Sequence, residues 1–243
     1  MIKPLYNPEK GIMRVVGFMS GSGSNIRKLL EYQKIIGKYN IVALFSDNAK
    51  SNAANIGKEF DIPVIIHDIR GFYHAKGKRY LDLSLRPEFD ELTVHALQSY
   101  EPDIVAYGGY MSVASSVLIN SFLGVNVHPA DLSIENNGKR KYTGSHAVTD
   151  AIRAGEKQLR ASTHLITQQV DGGPLLLISK PIAVVITQSI EEHQQRLKEN
   201  GDWIIFPKTL DYIAQGRFAR DENNLMYFDD KAIPQGLQFD EKL

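Results

Sequence analysis

"MRVVGFMSGSGSNIRKLLEYQKII" (13–36) holds the pattern that decides the fold. Its apolar opening reads as a buried strand, centred on "VVGFM" (15–19). From Ile26 the apolar positions Ile26, Leu29 and Leu30 fall at helical spacing. Between them lies "SGSGSN" (20–25), a polar, glycine-bearing loop. Strand, loop and helix in this order make the first half of a βαβ unit.

The alternation continues outward. "NIVALFS" (40–46) predicts a strand, "NAANIGKEF" (52–60) a helix, and "IPVIIH" (62–67) a strand. Residues 68–84 are charged and dotted with glycine, and read as a loop. "PEFDELTVHALQSY" (87–100) predicts a helix with proline well placed in its first turn. "DIVAYGG" (103–109), "VASSVLINSF" (113–122) and "GVNVHP" (124–129) follow as strand, helix and short strand. The fold class is therefore α/β, a Rossmann-like doubly wound, mostly parallel twisted sheet with helices on both faces. Ligands of such sheets bind beyond the carboxyl ends of the strands. That singles out the loops 20–25, 46–52, 107–113 and 126–146.

The second half adds antiparallel features. "ASTHLITQQ" (161–169) alternates like a strand, "DGGP" (171–174) is a tight turn by composition, and "LLLISKPIAVVI" (175–186) is further strand. "SIEEHQQRLKENGDWIIFPKTLDYIAQ" (189–215) reads as one long helix or two abutting ones, with a kink or break at Pro207. The tail after 215 reads as short strands or loop. No internal repeat or low-complexity linker interrupts the 243 residues, so a single domain over 1–243 is expected, with a core of about 13–215 and a tail of 216–243.

Composition narrows the function classes. The 28 basic residues balance the 28 acidic ones, so no global charge draws the chain to nucleic acid or an anionic membrane. There is no cysteine, which excludes disulfides, thiol nucleophiles and thiolate-held metal. The seven histidines lack metal-ligand spacing, so no metal is expected. The N-terminus has charges and prolines where a signal peptide needs an apolar stretch. No run is long enough to span a membrane. The expectation is a cytoplasmic protein with small-molecule substrates, a monomer or homodimer.

Three short motifs carry chemistry. In the loop 20–25, glycines permit close backbone approach, and amides at a helix start attract anions. A phosphate site and a plain glycine turn, capped by Ser24 or Asn25, both fit these residues. Ile26 stands where a dinucleotide fingerprint needs its third glycine, and Ser24-Asn25-Ile26 does not fit a Walker A loop, so a single terminal phosphate is favoured over a pyrophosphate. In "NVHP" (126–129), Asn126 and His128 face the same side of a strand. An amide donor beside an imidazole suits a developing oxyanion and a proton to move. In "HLITQQVDGGP" (164–174), Asp171 could orient a histidine and stabilise its charged form. Taken singly, a satisfied histidine and an ordinary Asp-Gly turn explain the last two equally well. The basic stretches "KGKR" (76–79) and "GKRKY" (138–142) read as solvated loops.

Taken together, S-G-x-G-S-N at 20–25, N-x-H-P at 126–129 and H-x-x-T-x-x-x-D-G-G-P at 164–174 resemble the glycinamide ribonucleotide formyltransferase family, within the folate-dependent formyltransferases. "YEPDIVAYGGYM" (100–111) and "AIRAGEKQLRASTHLI" (151–166) add to the likeness, which spans roughly 13–215. The resemblance implies a single-domain formyltransferase fold. It also implies transfer of a formyl group from the co-substrate N10-formyltetrahydrofolate to the amine of a ribonucleotide in purine biosynthesis, without a metal. It assigns catalysis to Asn126, His128 and Asp171, and phosphate binding to Gly23, Ser24 and Asn25. His146, Asp202 and Gly109 fall near the nucleotide substrate. Arg86, Met111, Ser112, Val113, Ala114 and Asn126 fall near the formylfolate. Asp171 is expected to favour a protonated His128.

The sequence departs from that family at Ser112, where the family has arginine, at Asp47, where it has asparagine, and in "ADLSIENNGKRKYTG" (130–144), which is longer and lacks the family's proline. The alternatives are an N-formyltransferase acting on another phosphorylated or nucleotide-linked amine, a formyltetrahydrofolate hydrolase, and a non-catalytic nucleotide-binding module. The hydrolase carries an additional N-terminal domain, for which the residues before Met13 leave no room.

Overall fold

The apolar run after residue 12 forms the strand Met13–Met19, and Val15, Val16, Phe18 and Met19 are completely buried. A parallel strand covered on both faces needs such an unbroken apolar run, which a half-exposed strand does not. The computed structural model describes residues 1–240. They adopt an α/β fold, a mixed sheet whose central strands are mostly parallel, accompanied by helices. The chain divides into two compact units, Gly11–Val125 and a second formed by Met1–Lys10 with the residues from Asn126 onward.

In the first unit the strands run in the order Ile104–Tyr107, Met13–Met19, Tyr39–Ser46, Val64–Ile66, and all neighbours are parallel. Helices Ser24–Ile36, Ala53–Phe60 and Arg86–Leu97 provide connections. The first buries Ile26, Leu29 and Leu30, the residues that the sequence periodicity singles out. It begins at Gly23, whose φ of 70° lies in the left-handed region. Neither Ser24 nor Asn25 caps it: both are already inside the helix, and no side chain accepts at its start. Residues 68–84 are not a plain loop. They contain the helix Ile69–Ala75, whose first turn is capped by the Asp68 carboxylate accepting from the Gly71 amide. Ile69 and Tyr73 supply its buried face.

In the second unit, Ser162–Leu165 pairs antiparallel with Leu175–Ile178, which pairs parallel with Leu237–Gln238. The strand Leu123–His128 is the next neighbour of Ser162–Leu165. The segment 189–215 is two helices, Ile190–Leu197 and Trp203–Ala214, joined by a π-helical turn at Lys198–Asp202. The interruption therefore falls before Trp203 rather than at Pro207, which is accommodated inside the second helix. The first helix starts with a capping box in which Ser189 and Glu192 satisfy each other's backbone amides. The tail forms short strands: Phe218–Arg220 lies between Lys3–Pro4 and Met226–Phe228.

Candidate active site

Asn126 and His128 lie two residues apart on Leu123–His128, so both project from one face of the strand. On the neighbouring strand, His164 turns its ring toward them. Its Nδ1 donates to the Leu165 carbonyl at 2.9 Å, which leaves Nε2 to accept from the Asn126 side-chain amide at 3.1 Å. A side-chain amide carries two N–H bonds, so Asn126 keeps one for a ligand. The His164 contact also settles which end of the Asn126 amide faces inward.

Asp171 closes the group. Its Oδ2 lies 3.5 Å from His128 Nδ1 and its Oδ1 lies 3.4 Å from His164 Nε2. The same carboxylate accepts from the Gly144 amide at 2.7 Å. Asp171 has a φ of 52°, in the left-handed region that non-glycine residues seldom occupy. The turn that follows needs glycine: a Cβ on Gly173 would lie 1.8 Å from the Leu165 carbonyl oxygen. That carbonyl is also the acceptor for the His164 ring. The D-G-G-P turn and the histidine of the same motif are therefore locked together by one close backbone approach.

Electrostatics separate the two charged partners. Burial alone would raise the Asp171 carboxyl. The nearby His164 and His128 side chains and the Gly144 amide outweigh it and hold Asp171 at about 2. Burial pushes His128 below the usual imidazole value, and the Asp171 charge only partly offsets this. Asp171 favours the protonated ring, as expected, but burial outweighs it and favours the neutral imidazole. Its Nε2 donates to the Tyr142 carbonyl at 3.0 Å. The Nδ1 lone pair therefore faces an ionised carboxylate, and a proton arriving there would gain a charged partner.

The loop 20–25 lies in the other unit. Three of its carbonyls are already engaged as acceptors. Asn48 Nδ2 donates to Ser20 O at 2.8 Å, the Asn52 amide to Gly21 O at 3.0 Å, and Asn52 Nδ2 to Ser22 O at 3.4 Å. Gly23 packs so closely that a Cβ there would come within 2.6 Å of Ile56 and Met19 side-chain atoms. The amides of the first helical turn have no acceptor within the helix, so this end is suited to an anion. Gly23 and Asn25 are buried, and Ser24 is half-buried. No motif marks Asn48 or Asn52 individually; only the place of their loop, 46–52, after a parallel strand points to them.

A family described as formyl transferase matches residues 13–210. The chain belongs to the formyl transferase family. The phosphoribosylglycinamide formyltransferase of Mycobacterium tuberculosis (strain ATCC 25618 / H37Rv) is 30% identical over 202 residues, covering 82% of this chain and 84% of its own length. The Escherichia coli (strain K12) enzyme of the same name is 26% identical over 232 residues, covering 94% of this chain and all of its own length. Among solved structures, the phosphoribosylglycinamide formyltransferase of Coxiella burnetii shares the fold with a TM-score of 0.78 at 23% identity, over 94% of this chain and 100% of that one.

Against this formyl transferase background the remaining expected site residues can be located. In the first unit, Met111 and Val113 are exposed, Ala114 is half-buried, and Ser112 is 8% exposed. Ser112 donates to the Asp47 carboxylate, and Tyr80 OH lies 3.1 Å from the same hydroxyl. The two departures at 47 and 112 are therefore one feature, since the serine hydroxyl partners the new carboxylate. Arg86 is buried, with its guanidinium over the Tyr73 and Tyr80 rings and two of its nitrogens without a hydrogen-bond partner. Gly109 accepts from the Ser20 amide at 3.0 Å and has a φ of 83°. In the second unit, His146 is exposed at the start of the helix Ala147–Arg153, and Asp202 is buried at the end of the π-helical turn.

No group of His, Cys, Asp or Glu suited to a metal ion occurs among the described residues. None of their helices is long and apolar enough to cross a membrane.

Proposed function

We propose that this protein transfers the formyl group of N10-formyltetrahydrofolate to the primary amine of glycinamide ribonucleotide, in purine biosynthesis. The observation that carries the reading is the Asp171 carboxylate set between His128 and His164, with Asn126 fixed beside them. The relatives bearing the name phosphoribosylglycinamide formyltransferase supply the substrate pair.

The amine nitrogen attacks the formyl carbon and forms a C–N bond, and the carbonyl pair moves onto oxygen. The free N–H of Asn126 donates to that oxyanion. It is oriented beforehand by His164, so no reorganisation is needed as charge develops. Neutral His128 takes a proton from the attacking nitrogen at Nδ1, and Asp171 stabilises the resulting imidazolium. The bond from the formyl carbon to N10 then breaks, and N10 leaves with the proton returned from His128. The product is the formamide, and atoms and charge balance without an external reagent. The amide-lined loop 20–25 binds the ribose 5-phosphate through the Gly23, Ser24 and Asn25 backbone and the Ser24 hydroxyl. His146, Asp202 and Gly109 serve the rest of the nucleotide, and Arg86 with Met111–Ala114 and Asn126 serve the formylfolate.

The test follows formylfolate absorbance with and without glycinamide ribonucleotide. Loss that requires the amine supports the transferase. Loss in water alone would make the protein a hydrolase, and no loss under either condition would make it a binding module.

A further inference from the structure

The segment 130–144, where the sequence departs from its family, contains a β-hairpin, so the basic stretch 138–142 is not a plain loop. Asn137 and Gly138, with φ of 52° and 72°, form a two-residue turn between Glu135–Asn136 and Lys139–Arg140. Asn-Gly is the favoured pair for such a hairpin because both positions need positive φ. The hairpin is anchored at each end. Leu132 is fully buried with Leu175 and Ile178, and its amide donates to Ser162 Oγ at 3.1 Å. Tyr142 is buried, and its hydroxyl donates to Glu156 at 2.5 Å.

Three groups from this segment reach the catalytic cluster. The Tyr142 carbonyl accepts from His128, and the Gly144 amide donates to the Asp171 carboxylate. The Arg140 guanidinium, through Nη1, donates to the backbone carbonyl of Asp171. Arg140 is half-buried and stands opposite Glu135 in the hairpin register. Asp171 must be held in an uncommon backbone conformation, which persists only where its surroundings over-determine it. The carbonyl that Arg140 grips belongs to that strained residue.

The geometry points to Arg140 as a positioning residue for catalysis: by binding the Asp171 carbonyl it holds the Asp171 carboxylate in register with His128 and His164. Arg140 acts through Asp171, and this inference rests on the catalytic assignment of Asp171 proposed above. The charged and titratable groups facing His128 are Asp171, His164 and Arg140. Arg140 also opposes His128 protonation, so its loss alters both the aim of the carboxylate and the proton affinity of the imidazole.

The experiment compares Arg140→Ala, Arg140→Lys and Asp171→Asn, each checked for wild-type circular dichroism. With Arg140→Ala, kcat is expected to fall by about 10-fold to 100-fold, in the range of a misplacement of about 1 Å. KM for both substrates stays within about twofold, since transition-state interactions alone are lost. Guanidinium ion at millimolar concentration should restore part of the kcat of Arg140→Ala, and Arg140→Lys should retain part of it. The pH profile of Arg140→Ala should be displaced from that of the wild type. Wild-type kcat and pH profile in Arg140→Ala, with turnover lost in Asp171→Asn, would overturn this inference and leave the proposed function standing. Full turnover in Asp171→Asn would overturn both. A fall in kcat that neither lysine nor guanidinium relieves would make Arg140 merely structural.

Discussion

His128 Nδ1 and Asp171 Oδ2 lie 3.5 Å apart, both side chains are less than one-tenth exposed, and both are driven toward their deprotonated forms. Burial keeps the imidazole neutral, while hydrogen bonds and neighbouring rings keep the carboxylate ionised. The pair is poised to take up one proton, and that proton has its counter-charge in place before it arrives.

The first consequence concerns activity against pH. A base must be neutral to act, and burial depresses the His128 pKa, so the acid limb of kcat/KM is expected below the usual imidazole value of about 6.5. Asp171→Asn removes the charge that raises it and should move that limb lower still, with kcat reduced by about 100-fold or more. A pH–rate profile of the two proteins checks this. A limb above 7 in the wild type would contradict a neutral resting imidazole.

Stability should follow the same groups. The folded carboxyl of Asp171, at about 2, lies below its ordinary 3.8. Its contribution is therefore present above the unfolded value and lost as pH falls toward 2, with a size of roughly 2 kcal/mol. The depressed His128 acts in the same direction at higher pH: the unfolded chain takes up its proton first, and stability declines as pH drops below about 6.5. Denaturant midpoints measured from pH 8 to pH 3 should fall in two stages, with the lower stage flattened in Asp171→Asn. An unflattened lower stage would sink the assignment to Asp171.

Asn126→Ala should leave the fold intact and lower kcat by about 100-fold to 1000-fold, the usual effect of removing one oxyanion donor. His164→Ala frees the amide it orients and should reproduce part of that loss without a comparable rise in KM. Steady-state kinetics of the single and double variants separate the outcomes. Fully additive losses would show that His164 does not act through Asn126, since residues that act as a unit are not additive.

The loop 20–25 can be tested separately from the chemistry. Ser24→Glu puts a like charge where the phosphate is proposed to bind, and should raise KM for the nucleotide with kcat little changed. Gly23→Ala forces a side chain onto a φ of 70° and into Ile56 and Met19, so it should lower the denaturation midpoint as well. An unchanged nucleotide KM in Ser24→Glu would argue against phosphate in this loop.

Much of the fold was legible from the chain. The runs at 13–19 and 40–46 are uninterrupted because parallel strands are buried on both faces, and Ile26, Leu29 and Leu30 betray a helix by spacing alone. The helix Ile69–Ala75 was hidden because seven residues with a glycine and only two buried side chains give too little periodicity. Sequence alone points to Pro207 as the interruption because a proline is visible there, whereas the π-helical turn before Trp203 has no residue signature of its own. The hairpin at 135–140 did carry a signal, Asn137-Gly138, but its strands are two residues long and show no alternation.

Local pattern and motif spacing thus determined the α/β class, the family and the proposed catalytic residue types, since each depends on residue identity within a short window or on a fixed order along the chain. Only the tertiary structure decided that Asn126 is oriented by His164, that Asp171 stands between two imidazoles, and that burial lowers the His128 pKa. It alone joined Ser112 to Asp47 and Arg140 to Asp171. These last two are contacts between residues 65 and 31 positions apart, together with the burial that surrounds them. Hydrogen-bond direction and desolvation depend on which groups share a dry volume, and a linear order of residues does not specify that.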